Sequence, residues 1–288
     1  MAIFVYRRTA SESARDLATA LAGRKVKSLP RLRAGDHLVC WGERVAPITG
    51  VRILNGGPLS NKFEDAVKLR QERVPTIHVV RDTPRVVDAT TGILARLGVI
   101  VGSLQEYLGT PEGYDRAVGL FPDFVAAKQA LAEARARRQE PAEWLPRLNH
   151  HIGGNDLLHP PARGEYYAKK ERLIREYRVH SFCGRSIRTG TKVHREGYYT
   201  PHEWVRSWDG GWRIAYDGPE KRGLRDLAHR AVRALDLDFG AVDIGERGDG
   251  TLIVLEVNRA PGLEGGTITT YARAIQQWTT QEPRTRRP

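Results

Sequence analysis

Three oxygen-bearing side chains near the C-terminus have the types and spacing to hold a hard divalent cation. Asp243 interrupts the apolar run Ala241-Val242-Asp243-Ile244, and Glu256 and Asn258 lie two apart at the end of a second β-prone run. A period of two puts Glu256 and Asn258 on one face of a strand. The intervening Arg247-Gly248-Asp249-Gly250 is a short turn, so the two strands can be neighbours and Asp243 can lie beside that pair. Two carboxylates and an amide oxygen suit Mg2+, which keeps several waters and binds phosphates. A carboxylate buried without a partner is costly, which favours an ion. Hydrogen bonds from loop backbone to the same groups are the competing reading, and spacing alone does not decide between them.

A second set of polar residues lies upstream. In 176–182 the residues Glu176, Arg178 and His180 alternate onto one strand face, while Tyr177 and Val179 point the other way. Lys192 follows one hairpin later. The stretch 148–158 is rich in Gly, Asn and His, and Gly153-Gly154 could let backbone N–H groups approach phosphate oxygens. His150 and His151 have no cysteine or further ligand nearby in sequence and do not read as a zinc site.

The elements that must position these groups can be read from periodicity. Residues 2–6 are β-prone, and 11–21 have helical spacing with Ser11 as N-cap. A strand at 37–41 closes at Gly42, Asn55-Gly56-Gly57-Pro58 is a loop, and Ser60 or Asn61 caps a helix to about residue 73. Pro75 ends that helix before a strand at 76–80. Strands alternating with helices indicate a small parallel α/β unit. Residues 103–145 read as helical and polar, most strongly at 126–138, where Arg135, Arg137 and Arg138 form a solvated face. The pattern then turns to β: a hairpin at 176–187, a second at 204–216 around Asp209-Gly210-Gly211, and the strands 241–245 and 252–257. Between them, Gly218-Pro219 opens a helix to about residue 235, with Leu224, Leu227, Ala228, Ala231 and Leu235 on one stripe.

The run Leu255-Glu256-Val257-Asn258-Arg259-Ala260-Pro261-Gly262-Leu263, preceded by Phe239-Gly240-Ala241-Val242-Asp243-Ile244, resembles the C-terminal signature of the ATP-grasp superfamily. It is most similar to the carboxylate–amine ligases of phages and bacteria. The resemblance, dense over about 145–275, thin over 55–80 and absent over 85–140, implies an α/β grasp fold: a pre-ATP-grasp unit over 1–80 and an ATP-grasp domain with antiparallel sheets over 81–280, in which the helical stretch at about 103–145 reads as an insertion, while 281–288 reads as a flexible tail. It implies ATP and Mg2+, with two ions on Asp243, Glu256 and Asn258 and Mn2+ as a possible substitute. Glu176 would take the ribose hydroxyls, the linker around Lys170 would meet adenine, and Lys192 would reach the phosphates. Arg178 would face phosphate or the acyl group. Asn61-Lys62 looks like the family's approach to the ATP region, with Lys62 near phosphate. The segment 147–158 resembles the strand and Gly153-Gly154 loop that fold over the phosphates, with Arg147 where many relatives carry lysine. Gly262 and Thr267 would belong to the loop that in the family binds the acceptor. In the D-alanine ligase branch an arginine precedes the first metal-binding Asp by two residues; here Ala241 stands there, so Arg178 or Arg195 would have to meet the charge of a tetrahedral intermediate.

The implied activity is ADP-forming ligation of a carboxylate to an amine through an acylphosphate, with small-molecule or peptide substrates. An ATP-grasp kinase is the rival enzyme. Composition adds a rival of another class. The net charge is +12, with +7 over residues 1–80 and +5 over 166–217, which admits a nucleic acid or another polyanion as partner. Trp204, Trp208 and Trp212 read as core or substrate wall rather than base-stacking platforms. The longest apolar runs, such as 97–101, are far below the roughly 20 residues that cross a bilayer. The N-terminus lacks the order of a secretory signal. The two cysteines, Cys40 and Cys183, make neither a disulfide framework nor a metal site, which fits a reducing cytoplasm.

Overall fold

The computed structural model describes residues 1–58, 60–81, 144–149, 164–197, 205–218 and 220–281. Expectations for 103–143, for Gly153 and Gly154, for His150 and His151, for Trp204 and for the tail beyond 281 fall outside them.

The described residues form three sheets. The first is parallel and N-terminal, formed by β1 (Ile3–Tyr6), β2 (Arg24–Val26), β3 (His37–Cys40) and β4 (Arg52–Leu54) in the order β2-β1-β3-β4. Helix α1 (Glu12–Ala20) starts where Ser11 Oγ accepts the Ala14 N–H at 3.2 Å. Helix α2 (Lys62–Gln71) starts at Asn61, whose side chain accepts from the Glu64 N–H while the Glu64 carboxylate accepts from the Asn61 N–H. This reciprocal capping box satisfies two of the backbone donors that a helix start leaves over.

The second sheet is antiparallel. It runs β10 (Trp212–Ala215), β9 (Arg185–His194), β8 (Leu173–Phe182), β11 (Phe239–Arg247) and β12 (Leu252–Asn258) in that order. The third, also antiparallel, joins β5 (Val79–Val80), β7 (Tyr166–Lys169) and β6 (Trp144–Arg147). Among the described residues no helix is long and apolar enough to cross a membrane.

One face of the five-stranded sheet is closed by α3 (Leu224–Ala234). Its buried stripe of Leu224, Leu227, Ala228, Ala231 and Val232 packs on Tyr177, Val179, Val242, Ile244, Val254 and Val257. Each large side chain buried there is worth about 1.5–3 kcal/mol. Between Asp243 and Ile244 the register shifts: Asp243 opposes Glu256, but Ile244 opposes Val254. Leu255 is therefore an extra residue, a β-bulge, and bulges re-aim side chains beside functional sites. Here the bulge lets Val254 and Val257 both face α3 while Glu256 faces the other way.

A further core unites the two ends of the chain. Val5, Leu17, Val39, Trp41 and Leu54 pack with Phe239, Leu263, Tyr271 and Ile275, the last two from α4 (Gly266–Thr280). At its hub Trp41 stacks on Phe239 at 5.3 Å between ring centroids. Asn55, fully buried, ties the same region together: its Nδ2 donates to the Phe239 carbonyl, and its Oδ1 accepts from the Asp238 and Phe239 amides.

Several local expectations are corrected. The strand expected at 76–80 does not extend the parallel sheet. Thr76 makes a lone parallel bridge to Val254, and only Val79–Val80 is a strand, paired with β7. The hairpin expected at 204–216 does not form. Trp212–Ala215 pairs instead with β9, whose ten residues offer a longer edge than 205–208 can, and Ser207–Gly211 is spent on turn hydrogen bonds. Trp144 and Leu145, at the end of the segment read as helical, are strand residues opposite Lys169 and Ala168. Helix α3 begins at Leu224 rather than near Gly218, because Gly223 takes φ +91°, a turn conformation open to glycine.

Candidate active site

The face of the five-stranded sheet opposite α3 is polar, and cross-strand register arranges it in rows. One row reads Glu256, Asp243, Arg178 and Gly190 across β12, β11, β8 and β9. The neighbouring row toward α4 reads Asn258, Ala241, His180 and Arg188. On the other side Gly245 opposes Glu176, and Lys192 opposes Ile214 of β10. Strand alternation thus gathers Asp243, Glu256, Asn258, Glu176, Arg178 and Lys192 onto one surface.

Charges on this surface are closely matched. Arg178 donates to Asp243 in a fork, Nε to Oδ1 at 2.7 Å and a terminal nitrogen to Oδ2 at 2.8 Å. Lys192 Nζ donates to Glu176 Oε2 at 2.8 Å and stands 3.8 Å from Asp243 Oδ2. Lys62, delivered by the first turn of α2, donates to Glu256 Oε2 at 2.7 Å. Asn258 Nδ2 donates to Glu256 Oε1 at 2.8 Å, which leaves its Oδ1 as an acceptor. Arg259 pins the start of α2 in place by donating to the Ser60 carbonyl at 2.9 Å and by pairing with Asp65.

Burial sets the ionisation. It pushes the Asp243 carboxyl up, but Arg178 and Lys192 overcome this and hold it below its ordinary value. Burial likewise opposes the charges of Arg178 and Lys192, yet Asp243, joined by Glu256 for Arg178 and by Glu176 for Lys192, raises both. His180 is buried, with Nδ1 3.2 Å from the Tyr271 hydroxyl and Nε2 3.2 Å from that of Tyr216. Burial and then Arg178 push it down to about 3, so it is neutral at pH 7.

The donor set fits Mg2+ rather than a metal held wholly by protein. Among the described residues no group of three or more His, Cys, Asp and Glu side chains is placed to hold a metal ion. What Asp243, Glu256 and Asn258 offer is two carboxylates and an amide oxygen, the partial shell of an ion that keeps water and phosphate oxygens. Lys62 and Arg178 lie on those carboxylates, showing that the positions accept positive charge.

Other residues singled out by sequence fall elsewhere. Arg147 ends β6, opposite Tyr166 in the three-stranded sheet, and Lys170 lies in the connection from β7 to β8. Arg195 follows the end of β9, with its guanidinium carbon 4.4 Å from the ring centre of the exposed Trp208. Gly262 precedes Leu263, whose amide donates to Ser13 Oγ at 2.9 Å. A Cβ on Gly262 would meet no atom within 4 Å among those described, so packing does not demand glycine there. Thr267 is buried at the start of α4.

Two arginines were not read from sequence. Arg206 Nε stands 3.6 Å from Glu176 Oε1, with its guanidinium 4.8 Å from the Trp212 ring centre. Arg188 donates to Thr267 Oγ1 at 2.8 Å and lies over the Tyr216 ring. Extending β9 to its full length from the alternation of Arg188, Gly190 and Lys192 would have found the second. Arg188 and Tyr216 also line a cleft of about 240 Å³ along β9, with Thr189, Thr191, Glu220 and Arg225.

No protein-family model matches the chain, and no curated protein matches it in sequence. Solved structures do match in fold. The ATP-grasp ligase PsnB, complexed with a minimal precursor, aligns with TM-score 0.54 at 12% identity, covering 97% of this chain and 99% of that one. Another PsnB structure contains a phosphomimetic precursor variant, Mg and ADP, and aligns with TM-score 0.54 at 11% identity, covering 96% and 98%. The D-alanine–D-alanine ligase of Bacillus anthracis aligns with TM-score 0.52 at 13% identity, covering 96% and 92%. The D-cycloserine synthetase DcsG aligns at 0.52 and 15%, covering 97% and 100%. Likeness along nearly the whole chain at such low identity is a likeness of fold, and the chain has the ATP-grasp fold.

Proposed function

We propose that the protein is an ATP- and Mg2+-dependent ligase that joins a carboxylate to an amine, forming ADP. The observation that carries this reading is the polar face itself, where Asp243 and Glu256 oppose each other across adjacent strands with Asn258 alongside and three cations in contact. Asp243, Glu256 and Asn258 would hold Mg2+, which supplies neutralisation of phosphate charge when bound.

A carboxylate is a poor electrophile, because its charge repels a nucleophile and its oxygen leaves badly. Transfer of a phosphoryl group to it creates a leaving group. Lys62, Arg178 and Lys192 are held beside the metal-binding carboxylates, and each can turn from carboxylate to phosphate oxygen when ATP brings its own negative charge. Glu176, in β8, would take the ribose hydroxyls, and the β7–β8 connection that contains Lys170 would meet adenine. Arg147 and the Gly153-Gly154 segment would cover the phosphates and keep water from the acylphosphate. Backbone donors in the loop at Gly262 would steady the charge that develops as the amine attacks. A small-molecule or peptide substrate agrees with the PsnB complex with a precursor and with the synthetase activity in the name of DcsG.

The test is an ADP-release screen over candidate acids and amines, followed by mass spectrometry of the product. An amide together with ADP supports the reading. A stable phosphoester in place of an amide would make the protein a kinase instead.

A further inference from the structure

The parallel sheet ends at β2, which pairs with β1 and has no second neighbour among the described residues. β2 and the loop after it read Arg24-Lys25-Val26-Lys27-Ser28-Leu29-Pro30-Arg31-Leu32-Arg33, five cations without an acid. Arg24, Lys27, Arg31 and Arg33 are exposed, and Lys25 is half-buried with Nζ 3.4 Å from the Thr9 carbonyl. Ion pairs near this unit go to other cations: Glu43 takes Arg7 and Arg8, Asp16 takes Arg15, and Asp65 takes Arg259. The five are left with no carboxylate within 4 Å among the described residues.

The segment is held at both ends. Val26 and Leu32 pack against Phe4, Tyr6, Leu38 and Cys40 on one face of the sheet. Asp36, buried, closes the loop: its Oδ2 accepts the Arg33 N–H and its Oδ1 the Ala2 N–H, each at 2.9 Å. Pro30 fixes its own φ and keeps Leu29 extended. Leu29 therefore stands outward between Lys27 and Arg31, 43% exposed. Among the described residues only Met1, Ile174 and Trp208 are other large apolar side chains left so open.

An edge strand offers unpaired backbone groups, and lysines on it repel a second copy of the same edge. They attract an acidic chain instead. The Val26 carbonyl accepts the Arg7 N–H at 3.0 Å, so Val26 faces β1 and the backbone groups of Lys25 point out of the sheet. We propose that this edge docks an acidic peptide segment of a partner chain. Its carboxylates meet Lys27, Arg31 and Arg33, an apolar side chain covers Leu29, and its backbone pairs at Lys25. A nucleic acid suits the surface less well. The segment has no aromatic residue on which a base could stack, and a phosphate backbone offers nothing to Leu29.

The test is fluorescence anisotropy of the full chain with a labelled peptide of glutamate-glutamate-leucine repeats, beside single-stranded oligothymidine of equal charge. Wild type is expected to bind the peptide saturably, more tightly than the oligonucleotide, and less tightly as salt rises. The double variant Lys27→Glu with Arg31→Glu should weaken peptide binding about tenfold or more. Arg70→Glu with Arg233→Glu removes the same charge from exposed positions in α2 and α3 and should change it less than about twofold. Leu29→Ser should weaken the peptide about fivefold and leave the oligonucleotide unchanged. Thermal midpoints equal to wild type report that the variants fold. No peptide binding by wild type, equal losses in the two double variants, or an unchanged affinity in Leu29→Ser overturns the proposal. Oligothymidine bound as tightly as the peptide also overturns it, in favour of a nucleic-acid surface.

Discussion

Strands β8, β11 and β12 show two different faces. Toward α3 they present Tyr177, Val179, Val242, Ile244, Val254 and Val257, all buried in one apolar cluster. On the other side the same strands present Glu176, Arg178, Asp243, Glu256 and Asn258, tied together by ion pairs and an amide hydrogen bond. The contrast teaches how this fold separates stability from chemistry. The apolar face holds the strands in register, and the bulge at Leu255 switches the alternation so that both faces are served. Polar-face pairs are poor stabilisers, because desolvation offsets much of their attraction; in the proposed ligase they would keep charges in place for exchange with ATP.

The contrast can be broken from either side. Ile244→Ala opens a cavity on the apolar face and should cost about 2–5 kcal/mol in urea-induced unfolding, with ADP release per folded molecule unchanged. A comparable loss of turnover in the folded variant would show that the faces are not separable. Glu256→Gln should do the reverse. It should lower ADP release by about 10²–10³-fold, the scale seen when a charge-stabilising group is removed. Its stability should change by about 1 kcal/mol or less, since Lys62 and Glu256 are each about a quarter exposed (23% and 27%).

His180 sharpens the comparison, being a polar-face residue with a structural cost. Its pKa is about 3 in the fold against an ordinary 6.5, so the unfolded chain takes up the proton first. Its contribution to stability is fully present above about pH 6.5 and is lost as pH falls toward 3. His180→Gln should flatten that part of the curve of unfolding free energy against pH, and an unaltered slope would contradict the assigned burial. A smaller effect is expected at the start of α2, the element that delivers Lys62. Asn61→Ala removes the capping box and should cost about 1 kcal/mol in the same unfolding assay. Least of all is expected from Arg195→Ala: its side chain stacks on Trp208, and ADP release should not change.

Much of this was legible in the sequence because it rests on local periodicity. Alternation put Glu176, Arg178 and His180 on one face, and spacing put Asp243 beside Glu256 and Asn258; both hold in the register of β8, β11 and β12. The stripe on α3 and the caps at Ser11 and Asn61 were equally local. Pairings chosen by distant strands were not legible. Trp212–Ala215 finds β9 rather than its own neighbour, and Val79–Val80 joins β7 from far along the chain. The short strands β2, β4 and β7 carried too few residues to show a period. Helix α4 did carry one, in Ile268, Tyr271, Ala272 and Ile275, though no cap marked its start. The family resemblance implied a place near phosphate for Lys62, but its contact with Glu256 depends on how α2 docks on β12.

The most direct test of the account is calorimetric titration with a non-hydrolysable ATP analogue, in excess Mg2+ and again in EDTA, for wild type, Asp243→Asn and Glu256→Gln. Wild type should bind tightly only when the ion is present, and both variants should lose most of that dependence. Equal binding by wild type in EDTA, or full Mg2+ dependence in both variants, would contradict it.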